Sequence, residues 1–114
     1  MKSIVQEKSF EFSLAIIRLY QRLKGKNEFA LSKQLLRSAT SIGSNVEEAL
    51  AGQNRKDFLS KMSIASKEAR ETRYWLRLMK ASNLEGEDYS KPLAQVEELA
   101  RMLTAIVKTT GKSK

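Results

Sequence analysis

The chain has 114 residues, a length typical of one domain, and its 21 Lys and Arg against 13 Asp and Glu give a net charge of +8. It contains no Cys and no His, which excludes disulfides and thiolate metal sites and removes the commonest general base. No apolar run approaches the roughly 20 residues that cross a bilayer, and the first residues acquire charges too soon for a signal peptide. We therefore expect a cytoplasmic protein without membrane association, and its charge favours an anionic partner.

Hydrophobic periodicity predicts helices throughout the chain and no strand. The predicted helices cover about residues 3–24, 31–51, 54–81 and 91–109. The first ends in the turn composition Gly25-Lys26-Asn27. In the second, apolar residues step by three or four positions from Leu31 to Ala49, and Gly43 in mid-helix indicates a close approach to a neighbouring helix.

The third predicted helix is the longest, with an N-cap signature at Asn54 and a core stripe in heptad steps from Phe58 to Met79. An acidic loop follows it, and Ser90 is the predicted N-cap of the fourth helix. Short connections favour antiparallel neighbours. We therefore predict an all-α fold in which residues 1–114 form one domain, an antiparallel up-down-up-down four-helix bundle.

A broad arc of basic residues is predicted on one flank of the third helix. Its members are Arg55, Lys56, Lys67, Arg70, Arg73, Arg77 and Lys80. The Glu residues of this helix lie on its other flank, so few of these cations are neutralised within the helix. A solvated helix face would explain the arc without any ligand. Because Arg forks bind phosphate oxygens in pairs, the arc also predicts contacts to the nucleic-acid backbone, although no motif for base-specific readout is present.

A second stripe on the third helix is rotated from the core stripe by roughly 60–140°. It consists of Ile64, Glu68, Glu71, Trp75 and Leu78, which follow one another in steps of 4, 3, 4 and 3 residues. A wide core is one explanation for apolar residues on this flank. The alternative, which we favour, is an interface with a second subunit, in which Trp75 is the anchor and the two Glu side chains meet basic residues of the neighbour.

Signals of catalysis are absent from the sequence. There is no Gly-rich phosphate loop, no nucleophile with a suitable base and no Glu-x-x-His pair for a di-iron bundle. Glu47 and Glu48 point about 100° apart on a helix and cannot both face one metal ion. We expect one of them to pair with an Arg across helices and Asn45 to satisfy a buried polar contact. The protein is thus expected to have no enzymatic activity, no metal and no cofactor.

Three blocks of sequence carry a resemblance to a known family. They are Gln34-Leu-Leu-Arg-Ser-Ala39, Ser41-Ile-Gly-Ser-Asn-Val-Glu-Glu-Ala49 and the run Ile64–Leu78, which contains Lys67-Glu-Ala-Arg-Glu-Thr-Arg-Tyr-Trp-Leu76. Together they resemble the four-helix-bundle family named after 23S rRNA intervening sequences, over nearly the whole chain. Many members carry Asn-Ile-Ala-Glu-Gly at the end of the second helix. This chain has Asn45-Val-Glu-Glu-Ala49 there and its glycine only at Gly52, which suggests a sub-branch.

The resemblance implies a ring-shaped homopentamer with no catalytic residue and no cofactor. Relatives in this family include genes inserted within ribosomal RNA and the accessory protein of diversity-generating retroelements, a basic pentamer that binds reverse transcriptase and nucleic acid. Our leading hypothesis is a non-enzymatic oligomeric scaffold that binds RNA or DNA backbone without sequence specificity and presents it to a partner such as a reverse transcriptase. The alternative is a protein–protein adaptor whose basic faces dock an acidic partner.

Overall fold

The structure is a computed structural model that describes residues 3–112. Within that range all regular structure is helical, as predicted. The elements are α1 (Ile4–Gly25), α2 (Ala30–Leu50), α3 (Arg55–Ala81), a 3₁₀ turn (Leu84–Gly86) and α4 (Ser90–Lys112). Helix α4 extends beyond its predicted end near residue 109 and reaches Lys112. None of these helices is apolar enough along its length to serve as a membrane span.

Short polar side chains fix the starts of α1 and α3, and the cap at Asn54 of α3 was predicted. Ser3 accepts a hydrogen bond from the backbone N–H of Gln6 at 3.2 Å, and Asn54 caps α3 in the same way at 2.9 Å. In the turn after α1 the left-handed residue is Asn27, with a φ of 64°, whereas Gly25 stays in the helix. Asn tolerates this conformation better than most residues because its short side chain can hydrogen-bond locally.

Two carboxylates that were not predicted as caps accept backbone hydrogen bonds at the starts of the other helices. Glu28 accepts hydrogen bonds from the backbone N–H groups of Leu31 and Ser32 at 3.3 and 2.9 Å at the start of α2. The prediction that Ser90 caps α4 is wrong: Ser90 is the first residue of the helix, and Asp88 accepts its N–H at 2.9 Å. The hydrogen bonds from Ser90 lower the pKa of Asp88, so its negative charge persists beside the positive end of the helix dipole.

The acidic loop before α4 is docked onto the end of α1. Tyr89 is only 2% exposed, and its hydroxyl donates a hydrogen bond to the carbonyl oxygen of Leu84 at 2.7 Å. Glu87 accepts hydrogen bonds from Arg22 at 3.0 Å and from Lys26 at 3.1 Å. Burial opposes ionisation of the Glu87 carboxyl, but the hydrogen bonds and charges of these two partners outweigh it and lower its pKa. The loop is therefore held to the end of α1 by ion pairs, and its Tyr89 ring is buried in the core.

The hydrophobic core lies between all four helices. Helix α2 packs against α1 and α3, and α4 packs against α3 and α1. The core residues with the largest fully buried side chains include Phe12, Ile16, Leu35, Ile42, Met62, Leu76, Leu99 and Leu103. The predicted stripes of α2 and α3 are confirmed, except that their first members, Leu31 and Phe58, are half-buried.

Gly43 brings α2 close to α1, as predicted. A Cβ atom at this position would lie 3.3 Å from Oγ of Ser13 and 3.5 Å from the carbonyl oxygen of Ser9. A larger residue would have to push the two helices apart, so the glycine serves packing despite its cost of about 1 kcal/mol in helix propensity.

Candidate nucleic-acid interface

The predicted basic arc of α3 is divided among four surroundings on the surface. These are the end of α4 for Arg55 and Lys56, an exposed position for Lys67, a groove between α3 and α4 for Arg70 and Arg73, and a second groove near the end of α3 for Arg77 and Lys80. All of these side chains are exposed, so each could reach a ligand. The structure nevertheless does not gather them into one site.

The groove between the two helices, which we call the α3–α4 groove, has the greatest excess of positive charge among these surroundings. It has a volume of about 630 Å³. Its lining residues are Arg70, Arg73, Glu97, Ala100, Arg101, Thr104, Ala105 and Lys108. Four cations thus share the groove with one carboxylate. The remaining lining residues are Ala and Thr, whose small side chains occupy little of the groove.

Most of this positive charge is not neutralised inside the chain. Arg73 donates a hydrogen bond from Nε to Glu97 Oε2 at 3.1 Å and is the paired member of the set. Arg70 donates to the hydroxyl oxygen of Ser66 at 3.2 Å, which orients the guanidinium without cancelling its charge. Within residues 3–112, Arg101 and Lys108 form no salt bridge. Three cations of the groove therefore keep their charge available.

Arg101 and Lys108 were not among the residues predicted to bind nucleic acid. A signal for them exists in the sequence, since Glu97, Arg101, Thr104 and Lys108 follow one another at steps of 4, 3 and 4 residues and so share one face of α4. These residues join the basic residues of α3 only because α4 packs beside that flank of α3, and a local sequence pattern cannot predict which helices are neighbours.

Arg55 has a partner in the protein backbone. Its Nε and Nη2 atoms donate hydrogen bonds to the carbonyl oxygen of Thr110 at 3.3 and 3.1 Å. This carbonyl belongs to the last turn of α4, where helix carbonyls have no partner within the helix and cations are favourable. The guanidinium therefore ties the start of α3 to the end of α4.

The flank of α3 that faces α2 is organised differently, as a connected polar network. Arg37 of α2 forms ion pairs with Glu71 and with Glu68, the latter at 3.5 Å. Ser41 donates a hydrogen bond to Glu68 at 3.3 Å, and the indole N–H of Trp75 donates to Glu71 at 3.1 Å. The residues that carry the family resemblance thus meet across the two helices.

Hydroxyl groups extend this network into the core. Thr72 and Ser38, both fully buried, have their hydroxyl oxygens 2.8 Å apart, and Thr72 lies equally close to the carbonyl oxygen of Glu68. Asn45 donates from its amide to the carbonyl oxygen of Ser41 at 2.8 Å, so its polar contact is made within its own helix. The interior of the α2–α3 contact is therefore hydrogen-bonded and not purely apolar.

The pairing expected of Glu47 or Glu48 with an Arg is wrong for Glu47. Its carboxylate accepts hydrogen bonds from the side-chain amide of Gln6 on α1, at 3.0 and 3.1 Å. In the part of the chain that the structure describes, no three Asp or Glu side chains are grouped so that they could hold a metal ion.

Contacts within the single chain account for part of the second stripe of α3. Glu68 and Glu71 find their basic partner, Arg37, in the same chain. Trp75 is half-buried and packs against the core, which fits a wide core. Ile64 and Leu78 remain 39% and 37% exposed, which leaves apolar surface for a neighbour. The interface with a second subunit stays a prediction for all five positions.

Comparison with known proteins places the chain in a family. The sequence matches the family described as 23S rRNA-intervening sequence protein over residues 1–105. No curated protein matches it. It is similar, with 42% sequence identity and a TM-score of 0.85, to the crystal structure of a protein of unknown function from the S23 ribosomal protein family of Bacteroides thetaiotaomicron, over 92% of this chain and 99% of that one. The chain therefore belongs to the 23S rRNA-intervening sequence protein family.

Proposed function

We propose that this protein is a non-enzymatic oligomeric scaffold that binds the backbone of RNA or DNA without sequence specificity. The observation that carries the proposal is the α3–α4 groove, in which Arg70, Arg101 and Lys108 have no carboxylate partner within residues 3–112. Guanidinium forks bind phosphate oxygens in pairs, and Lys adds a point charge. Ala and Thr side chains line the rest of the groove and offer little to read a base edge, so its contacts go to phosphates.

Assembly would multiply this charge. In our proposal the four helices run up-down-up-down, and several copies form a ring, with five subunits as the family resemblance implies. The exposed Ile64 and Leu78 side chains and the half-buried Trp75 would lie at the contact between subunits. Each subunit adds a net charge of +8, so a strand that touches several grooves is bound with increased avidity. Such a ring could present nucleic acid to a partner protein such as a reverse transcriptase.

Charge reversal in the groove tests the binding site. We expect the double variant Arg70→Glu/Arg101→Glu to lose roughly tenfold or more in affinity for a fluorescent single-stranded RNA, measured by anisotropy. Each lost phosphate contact should also lower the slope of log affinity against log salt by about 0.7. The matched control is Lys24→Glu/Lys33→Glu, which changes the net charge equally but at exposed positions on α1 and α2, away from the groove.

Equal loss in both double variants would show that overall charge, and not the groove, determines binding. The adaptor alternative has its own outcome in the same assay. If poly-glutamate displaces the RNA as well as an unlabelled RNA does at equal charge concentration, the groove recognises acidic polymers in general, and the nucleic-acid proposal fails.

Assembly is tested by the light-scattering mass of the protein, alone and with RNA, across a salt series. We expect a mass near that of five subunits that increases when RNA is added at low salt and returns at high salt. A monomer whose mass is indifferent to RNA would contradict both the ring and the nucleic-acid interface.

A further inference from the structure

The aromatic ring of Tyr74 is exposed to solvent and lines the second groove, near the end of α3. The side chain of Tyr74 is 51% exposed, and among the described residues its hydroxyl forms no hydrogen bond. The groove beside it has a volume of about 580 Å³ and is lined by Tyr74, Arg77, Leu78, Lys80, Ala81 and Leu93. It thus combines an aromatic face, aliphatic side chains and two cations in one open concavity.

The Tyr74 ring contacts the polar network on the α2 side of the helix through Trp75. Tyr74 contacts Trp75 edge to face, with ring centroids 5.4 Å apart and an interplanar angle of 61°. Trp75 in turn donates its indole N–H to Glu71, which is paired with Arg37. An exposed ring that is oriented by its neighbours loses little conformational entropy when a ligand covers it.

The cations beside the ring are free for a ligand. Within residues 3–112, neither Arg77 nor Lys80 forms a salt bridge. Residues three or four positions apart on a helix are neighbours on its surface, so Arg77 lies next to Tyr74. Arg70 and Arg73 of the α3–α4 groove lie about one turn further back along the same helix, so the two grooves are neighbours along α3.

We infer that Tyr74 is a stacking platform for an unpaired nucleobase, and that the nucleic acid bound by this protein is single-stranded. The inference rests on the proposed function and names its substrate class. An unpaired base would lie on the Tyr74 ring with Leu93 at its edge, while the flanking phosphates contact Arg77 and Lys80. Aromatic stacking tolerates any base because every base has a π-face, which agrees with binding that ignores sequence. The bases of a duplex are stacked inside the helix and cannot reach this ring.

The test compares affinities for oligo-dT, for a DNA hairpin of equal length whose loop is a non-nucleotide linker, so that all of its bases are paired, and for inorganic polyphosphate, which has charge but no bases. We expect Tyr74→Ala to weaken oligo-dT binding about tenfold and to leave hairpin and polyphosphate binding unchanged. Tyr74→Phe keeps the π-face and should retain the parent affinity. Phe10→Ala is the matched control, because it removes an aromatic side chain that is 61% exposed on α1.

The outcomes distinguish a failure of the stacking platform alone from a failure of the proposed function. If Tyr74→Ala changes none of the three affinities while Arg70→Glu/Arg101→Glu abolishes binding, the platform is wrong and the backbone groove stands. If Tyr74→Ala weakens polyphosphate binding as much as oligo-dT binding, the ring acts through the structure and not by stacking, and the platform again fails. If the parent protein binds neither oligo-dT nor hairpin, both the platform and the proposed function are overturned.

Discussion

The two flanks of α3 differ in how far their charges are neutralised within the described chain. On the flank that faces α2, both Glu side chains are matched by Arg37, and the indole N–H of Trp75 has an acceptor. On the flank that faces α4, four cations share the groove with the single carboxylate of Glu97. One helix therefore carries a closed polar network on one side and an open excess of charge on the other.

This difference separates groups that hold the fold from groups that are available to a partner. Hydrogen bonds inside the α2–α3 network satisfy polar groups that packing has removed from water, so the network is complete in the single chain. The cations of the α3–α4 groove are exposed and repel one another, which adds nothing to the stability of the folded chain. In the function that we propose, a polyanion would neutralise them.

The largest effect expected within this comparison comes from the buried hydroxyl pair of the network. Thr72→Val keeps the shape of the side chain but removes the donor from the buried Ser38 hydroxyl, which then keeps only its 3.3 Å hydrogen bond to the carbonyl oxygen of Leu35. We expect the free energy of unfolding to fall by about 1–3 kcal/mol. Chemical denaturation at a fixed protein concentration measures this loss, because an oligomer's stability depends on concentration.

Thr104→Val is the matched control for that variant, because it makes the same chemical change at an exposed position on α4. We expect it to alter stability by less than about 0.5 kcal/mol. Nucleic-acid affinity of the folded Thr72→Val protein should equal that of the parent. A loss of affinity without a loss of stability would contradict the division of roles between the two flanks.

The sequence was sufficient to predict what depends on a single helix. The steps of three and four residues placed Leu35, Ile42, Met62 and Leu76 in the core, and the cap at Asn54 was recognisable from one residue type in one position. These features are local, because the periodicity of a helix determines which side chains share a face.

Features that depend on which helices are neighbours could not be predicted in the same way. Arg37 is a surface residue by periodicity, and only the packing of α2 on α3 brings it to Glu68 and Glu71. The same holds for Arg101 and Lys108, whose charges join those of Arg70 across the α3–α4 groove. Periodicity gives the direction of a side chain around its own helix, whereas a site between helices also requires the partner and the register.

A smaller change sharpens the comparison between the flanks by adding to the open charge. Glu97→Gln removes the one carboxylate among the described residues that line the α3–α4 groove, and it releases Arg73 from its 3.1 Å ion pair. Because Arg73 could then contact a phosphate, we expect affinity for single-stranded RNA to rise severalfold and the salt slope to steepen by about 0.7. Anisotropy across a salt series measures both quantities.

Glu71→Gln removes one negative charge from the opposite flank and separates local from global electrostatics. Any effect of Glu71 on the groove that does not pass through a contact weakens with salt, because the Debye length falls to about 8 Å at physiological ionic strength. Arg37, which pairs with Glu71, also keeps Glu68 as a partner and so gains no free charge. We therefore expect the affinity gain of Glu71→Gln to vanish at physiological salt while that of Glu97→Gln persists. If the two variants gain equally at every salt concentration, RNA responds to the total charge of α3 and the two flanks are not distinct in function.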